Sequence, residues 1–155
     1  MLIVGCGCRG RELAAALVAE GHAVRGTTRR PEAADAIEAA GAEAVVADPD
    51  RLATLLPALE GVSAACWLMG SVAVPALHGE RLETLLETLV DTPVRGLVYE
   101  GAGSVAGELL GKGAALASAA AERWRMPIEI VDRNPADRGA WLAGMTRAVG
   151  RVLGG

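Results

Sequence analysis

The stretch that decides the fold is "LIVGCGCRGRELAAALVAEGHAVRGTTRRP", residues 2 to 31. Leu2 to Val4 form a short apolar run that stops at Gly5, as a buried strand does before a turn. Leu13, Ala14, Leu17 and Val18 then recur at helical spacing, and Gly21 stands where a helix C-terminal glycine belongs. Between strand and helix, Gly5, Gly7 and Gly10 fit G-x-G-x-x-G. Gly5 permits the tight turn, Gly7 lets the backbone approach a pyrophosphate, and Gly10 lets the helix pack close to the sheet. The helix start offers unpaired N–H groups and a positive dipole end to that phosphate. Cys8 and Arg9 lie in the same loop, and Arg9 is expected to face the phosphate pocket.

The next strand, read as His22 to Thr27, bears on which nucleotide the loop would hold. An NAD site places an Asp or Glu about 20 residues on, to bind the ribose 2′-hydroxyl. Here the segment reads Thr27-Thr28-Arg29-Arg30, without an acid. A guanidinium binds a 2′-phosphate by charge-assisted, paired hydrogen bonds, whereas a carboxylate repels it. Thr28 can add a hydroxyl. The expectation is NADP(H) in preference to NAD(H), the plain alternative being that Arg29 and Arg30 form a solvated loop.

Outward from this unit, apolar runs and helical patterns keep alternating. Pro31 suits the first turn of a helix through Ala40, with Gly41 closing it. Ala44 to Ala47 reads as a third strand, and Asp50 as the cap of a short helix carrying Leu52, Leu55 and Leu56. Val62 to Leu68, Val94 to Tyr99 and Ile128 to Val131 are further strands. Leu82, Leu85, Leu86, Leu89 and Val90 make one apolar helical stripe, an alanine-rich helix ends at Trp124 before Pro127, and a last helix presents Trp141, Met145 and Val149. Alternating strands and helices imply parallel pairing through right-handed crossovers. The predicted fold class is α/β: a doubly wound parallel sheet of six strands in the order 3-2-1-4-5-6, with helices on both faces.

With 155 residues, 52% hydrophobic and 22% charged, the chain is expected to form a single nucleotide-binding domain over 1–155 with no separate substrate domain. A net charge of −4 argues against a phosphate-tracking nucleic-acid partner. No apolar run has the ~18 residues of a membrane span. The odd count of cysteines (Cys6, Cys8, Cys66) and a strand beginning directly after Met1 suggest a reducing, cytoplasmic setting without a targeting segment. No ligand spacing for a metal follows Cys6-x-Cys8. The 82–90 stripe either pairs two copies of the chain as a homodimer or packs on the sheet, and the sequence does not separate the two.

The runs "GCGCRGRELAAALVAEGHAVRGTTRRP" and "VVADPDRLATLLPALEGVSAACWLMG" resemble the extended and atypical short-chain dehydrogenase/reductase superfamily, and more narrowly its NAD-dependent epimerase-like branch. The resemblance covers about the first two-thirds of the chain and implies a Rossmann fold with an NAD(P) cofactor. It places Asp48, with Pro49 beside it, at the adenine amino group, a turn or helix cap being the plain alternative. It lays the backbone of Leu68, Met69 and Gly70 along the cofactor.

The same resemblance implies a Ser after the fifth strand and a Tyr-x-x-x-Lys pair on the following helix, where Lys lowers the phenol pKa for proton transfer. In "LVYEGAGSVAGELLGKG" those positions fall on Ala102, Ala106 and Leu110. Tyr99, Ser104 and His78 remain as candidate proton donors. Tyr99 stands thirteen positions before Lys112, too far for a one-turn pair. Arg133, in Asp132-Arg133-Asn134-Pro135, follows the sixth strand at the edge where open sheets bind ligands. Three readings result: an NADP(H)-binding protein without the standard triad, serving as a redox sensor or regulator; an active NADP-dependent reductase or epimerase-like enzyme using other residues; or a Rossmann-shaped module that holds no nucleotide.

Overall fold

Alternate residues of the central strands feed two separate cores, as the two-residue period of a strand requires. In the computed structural model, which describes residues 1–154, these strands are β1 (Leu2–Val4), β2 (Arg25–Thr28), β3 (Glu43–Val46), β4 (Ala64–Trp67), β5 (Gly96–Glu100) and β6 (Ile128–Val131). All pairings are parallel and the order is β3-β2-β1-β4-β5-β6, as expected from the sequence. Leu2, Val4, Trp67, Leu97 and Tyr99 point to one face, Ile3, Cys66 and Val98 to the other.

Five α-helices cover those faces: α1 (Cys8–Ala19), α2 (Ala34–Ala39), α3 (Glu80–Leu89), α4 (Gly107–Trp124) and α5 (Arg138–Val152). Leu82, Leu85, Leu86 and Leu89 of α3 join the first core, together with Ala117 and Ala120 of α4. Leu13, Leu17, Ile37, Trp141, Met145 and Val149, from α1, α2 and α5, form the second. The four α3 leucines are at most 1% exposed, a burial that stabilises the fold by about 1.5–3 kcal/mol for each side chain. Of the two readings of the stripe, the structure has the second: it packs on its own sheet, and only Val90, past the helix end, is exposed (44%). No helix among the described residues is long and apolar enough to cross a membrane.

Several boundaries move for identifiable reasons. The second strand begins at Arg25, not His22, because Gly21 (φ +93°) and His22 close α1, His22 N–H donating to Leu17 O, before Arg25 comes opposite Leu2. Pro31–Ala33 forms one 3-10 turn ahead of α2, so the predicted helix is split. Asp50 does not cap the next turn: Asp48 Oδ1 accepts from the Asp50 amide at 2.9 Å, and Leu52–Thr54 and Leu56–Leu59 are 3-10 turns without a side-chain cap. The fifth strand extends one residue further than expected, to Glu100.

Candidate functional site

At the C-terminal end of β1 the chain turns through Gly5 at φ +84°, a conformation that L side chains rarely adopt. The turn is tied to β2: Gly5 N–H donates to Thr27 Oγ1 at 3.1 Å and Cys6 N–H to Thr27 O at 3.0 Å. Gly10 packs against it, where a Cβ would lie 3.0 Å from Gly5 O. Helix α1 then starts with Gly7 as N-cap, no capping side chain and no acid in its first turn. Its first N–H groups and positive dipole end are therefore left for a ligand anion.

Beside this turn lies a crevice of about 270 Å³. Gly5, Cys6 and Gly7 form its floor, Thr27 to Arg30 one wall, Ala47 to Asp50 another, and Leu68, Met69, Ser71, Val72, Val74 and Leu77 the side toward β4. The position is the switch point where β1 is flanked by β2 and β4, the place where open α/β sheets take ligands. Three arginines line it, Arg11, Arg29 and Arg30, together with Asp48 and Asp50. Asp50 is also paired with Arg81 at 3.1 Å. Thr28 Oγ1 is engaged locally, accepting from Arg30 N–H at 3.1 Å and donating to Arg30 O at 3.2 Å, and this turn sets the two arginines at the crevice edge. Cys6 presents a neutral thiol: burial pushes its pKa up to about 11, with Arg11 opposing.

Of the residues expected to hold a cofactor, Gly5, Gly7, Thr28, Arg29, Arg30, Asp48, Pro49 and Met69 line the crevice. Cys8 is exposed outside it, and Gly10 and Gly70 stand behind it as packing glycines. Arg9 is corrected. Its guanidinium turns away, donates from Nη2 to Glu100 Oε1 at 2.7 Å and lies 5.8 Å from the Trp141 ring centroid. Arg11, two residues on, takes the expected place. Glu100 has a fully buried side chain and three donors: Arg9, the Gly70 amide (2.8 Å to Oε1) and Trp141 Nε1–H (3.1 Å to Oε2). Charged side chains are almost never fully buried unless paired, so a Glu ending the apolar run "LVYE" is the sequence signal for this knot.

The three candidate proton donors are separated. Tyr99 is fully buried, its hydroxyl donating to Leu110 O at 3.2 Å, and burial, with Glu100 adding repulsion, pushes its pKa up to about 12. His78 is also fully buried, with Nε2 2.8 Å from Val72 O. Ser104 is exposed and borders a different hollow. Tyr99→Phe is accordingly expected to cost about 1 kcal/mol of stability for one hydrogen bond. Denaturant titration checks this. Cys66 is buried, with its thiol raised to about 12. Among the described residues no cluster of His, Cys, Asp or Glu is placed to hold a metal ion.

A parallel sheet with a glycine turn and an arginine-edged crevice at its switch point defines a nucleotide-binding Rossmann domain. The sequence assigns it more narrowly: the chain belongs to the NAD(P)H-binding family, which it matches over residues 5–126. No curated protein matches it in sequence. Among solved structures it is similar to the triphenylmethane reductase of Citrobacter sp. complexed with NADP(H), at 18% identity and TM-score 0.66 over 85% of this chain and 48% of that one. It is also similar to UDP-glucuronic acid 4-epimerase from Bacillus cereus in complex with NAD, at 15% identity and TM-score 0.64 over 87% and 59%. A third similar structure is UDP-glucose 4-epimerase from Thermotoga maritima with UDP-glucose, at 10% identity and TM-score 0.70 over 84% and 54%. The chain thus spans about half the length of these proteins, with which it shares the fold.

Proposed function

We propose that this chain binds NADP(H) in preference to NAD(H), in a cytoplasmic setting, as an atypical short-chain dehydrogenase/reductase domain without the usual Ser, Tyr and Lys. The observation that carries the preference is the placement of Arg29 and Arg30 side by side on the crevice wall directly after β2. The residues present fit the cofactor. The bared start of α1 and the backbone at Gly7 suit its pyrophosphate. The two arginines suit a 2′-phosphate, and Asp48 with Pro49 the adenine end. When bound, such a cofactor supplies or accepts a hydride. The chain's own part is to grip the adenosine half through charge and exposed amides.

Two observations support a binding or redox-sensing role: the locked Tyr99 hydroxyl and the alanines at the family's Ser and Tyr positions. The alternative, an active NADP-dependent reductase, is favoured by Ser104, whose exposed hydroxyl borders a hollow beside Arg9. Calorimetric titration separates NADPH from NADH. Arg29→Ala and Arg30→Ala are each expected to weaken NADPH by about 10–100-fold, the size of one charged hydrogen-bonding partner, and to leave NADH within about threefold. Equal losses for both nucleotides would overturn the 2′-phosphate assignment. NADPH oxidation against aldehydes, ketones and quinones tests the reductase alternative.

A further inference from the structure

Beyond the crevice, a second hollow of about 320 Å³ opens where the loops after β5 and β6 meet the start of α1. Arg9, Gly103, Ser104, Asn134, Pro135 and Ala136 line it, and it shares no residue with the crevice. The first turn of α1 divides the two: Gly7 and Arg11 serve one, Arg9 the other.

Its lining is rich in donors. Glu100 takes one hydrogen bond from Arg9 Nη2, and Arg9, whose side chain is partly exposed, lines the hollow, while its Nε is buried without a partner among the described residues. Asn134 Oδ1 already accepts from Ala136 N–H at 2.9 Å, which leaves the Asn134 amide NH₂ as its open end. Ser104 adds a hydroxyl, and among the described residues the amides of Gly103 and Ser104 donate to no backbone carbonyl. A hollow furnished mainly with donors selects an acceptor-rich ligand. Arg9 is already ion-paired with Glu100 through Nη2, and the flat edge of a guanidinium matches a planar carboxylate.

We infer that this hollow is a second ligand subsite, which binds the carboxylate of a small organic acid on Arg9, Ser104 and Asn134. Glu100 acts there as a positioning residue that aims Arg9. Its assignment as the substrate end of a reductase rests on the nucleotide reading; its ligand class does not. The test is calorimetric titration of the full chain with oxalate, acetate and inorganic phosphate, with and without NADPH, beside a separate NADPH titration. Oxalate should bind saturably. Ser104→Asp, which sets a like charge at the rim without touching the Arg9–Glu100 pair, should weaken oxalate at least about tenfold. Arg9→Lys, which keeps an ion pair with Glu100 and loses the second edge of the guanidinium, should do the same. Thermal midpoints report that both variants fold. Absence of saturable oxalate binding, unchanged affinity in the folded variants, or phosphate binding tighter than oxalate would each overturn the inference. Oxalate binding without NADPH binding would leave the subsite standing and remove the nucleotide reading.

Discussion

Replacing Glu100 by alanine is expected to lower the stability of the fold by about 3 kcal/mol, near the lower end of what breaking a buried ion pair costs. The lower end applies because the Arg9 side chain keeps 29% of its surface in water while the Glu100 side chain has none. Three donors lose their acceptor together: the guanidinium of Arg9, the Gly70 amide and the Trp141 indole. For a chain of this length the loss reads as a fall of roughly 10 °C in thermal midpoint. Glu100→Gln keeps the shape and one oxygen but turns an amide NH₂ toward other donors, so an intermediate loss is expected. A loss below 1 kcal/mol in the alanine variant, measured by urea unfolding, would show that the pair contributes no more than a surface salt bridge does.

The knot matters because of what it joins. Arg9 belongs to the first turn of α1, Gly70 to the loop after β4 and Trp141 to α5, so one carboxylate at the end of β5 holds three segments around the sheet's C-terminal edge. Gly70 has to be glycine there, since a Cβ would run into Glu100 Oε1 and Ala102 O.

The sheet order was legible because each strand and helix carries its own signal. Three glycines at fixed spacing follow an apolar run, and leucines recur at helical intervals in α3. The crevice was legible to the extent that it follows strand ends: Arg29 and Arg30 after β2, and Asp48 after β3, had to fall at the switch point once the order was known. What sequence alone could not assign was side-chain direction within a helical turn. Arg9 and Arg11 differ by about 200° around the axis of an ideal helix, and only the Glu100 carboxylate decides which of them turns from the crevice. The α3 stripe stayed open between dimer face and sheet packing for a related reason: periodicity reports one apolar side and not what covers it.

Gly5→Ala and Gly7→Ala, two residues apart, are expected to part company. At Gly5 an alanine meets φ +84°, and its Cβ lies 2.5 Å from Leu68 O and 2.7 Å from Met69 Cε. The left-handed conformation costs about 1–2 kcal/mol and the crowding about 1–3 kcal/mol more. The substitution should therefore destabilise the chain by about 3 kcal/mol, and it should weaken NADPH as well, because the turn that presents the amides is displaced. At Gly7 the backbone sits at φ −81°, ψ −151°, and a Cβ meets nothing within 4 Å. Stability should fall there by no more than about 1 kcal/mol, the cost of alanine at a helix N-cap, while NADPH affinity falls at least about tenfold as the methyl enters the space a pyrophosphate needs. Urea unfolding paired with calorimetry reads both quantities on each variant. A Gly7→Ala protein that binds NADPH as tightly as the original would mean that this turn carries no phosphate.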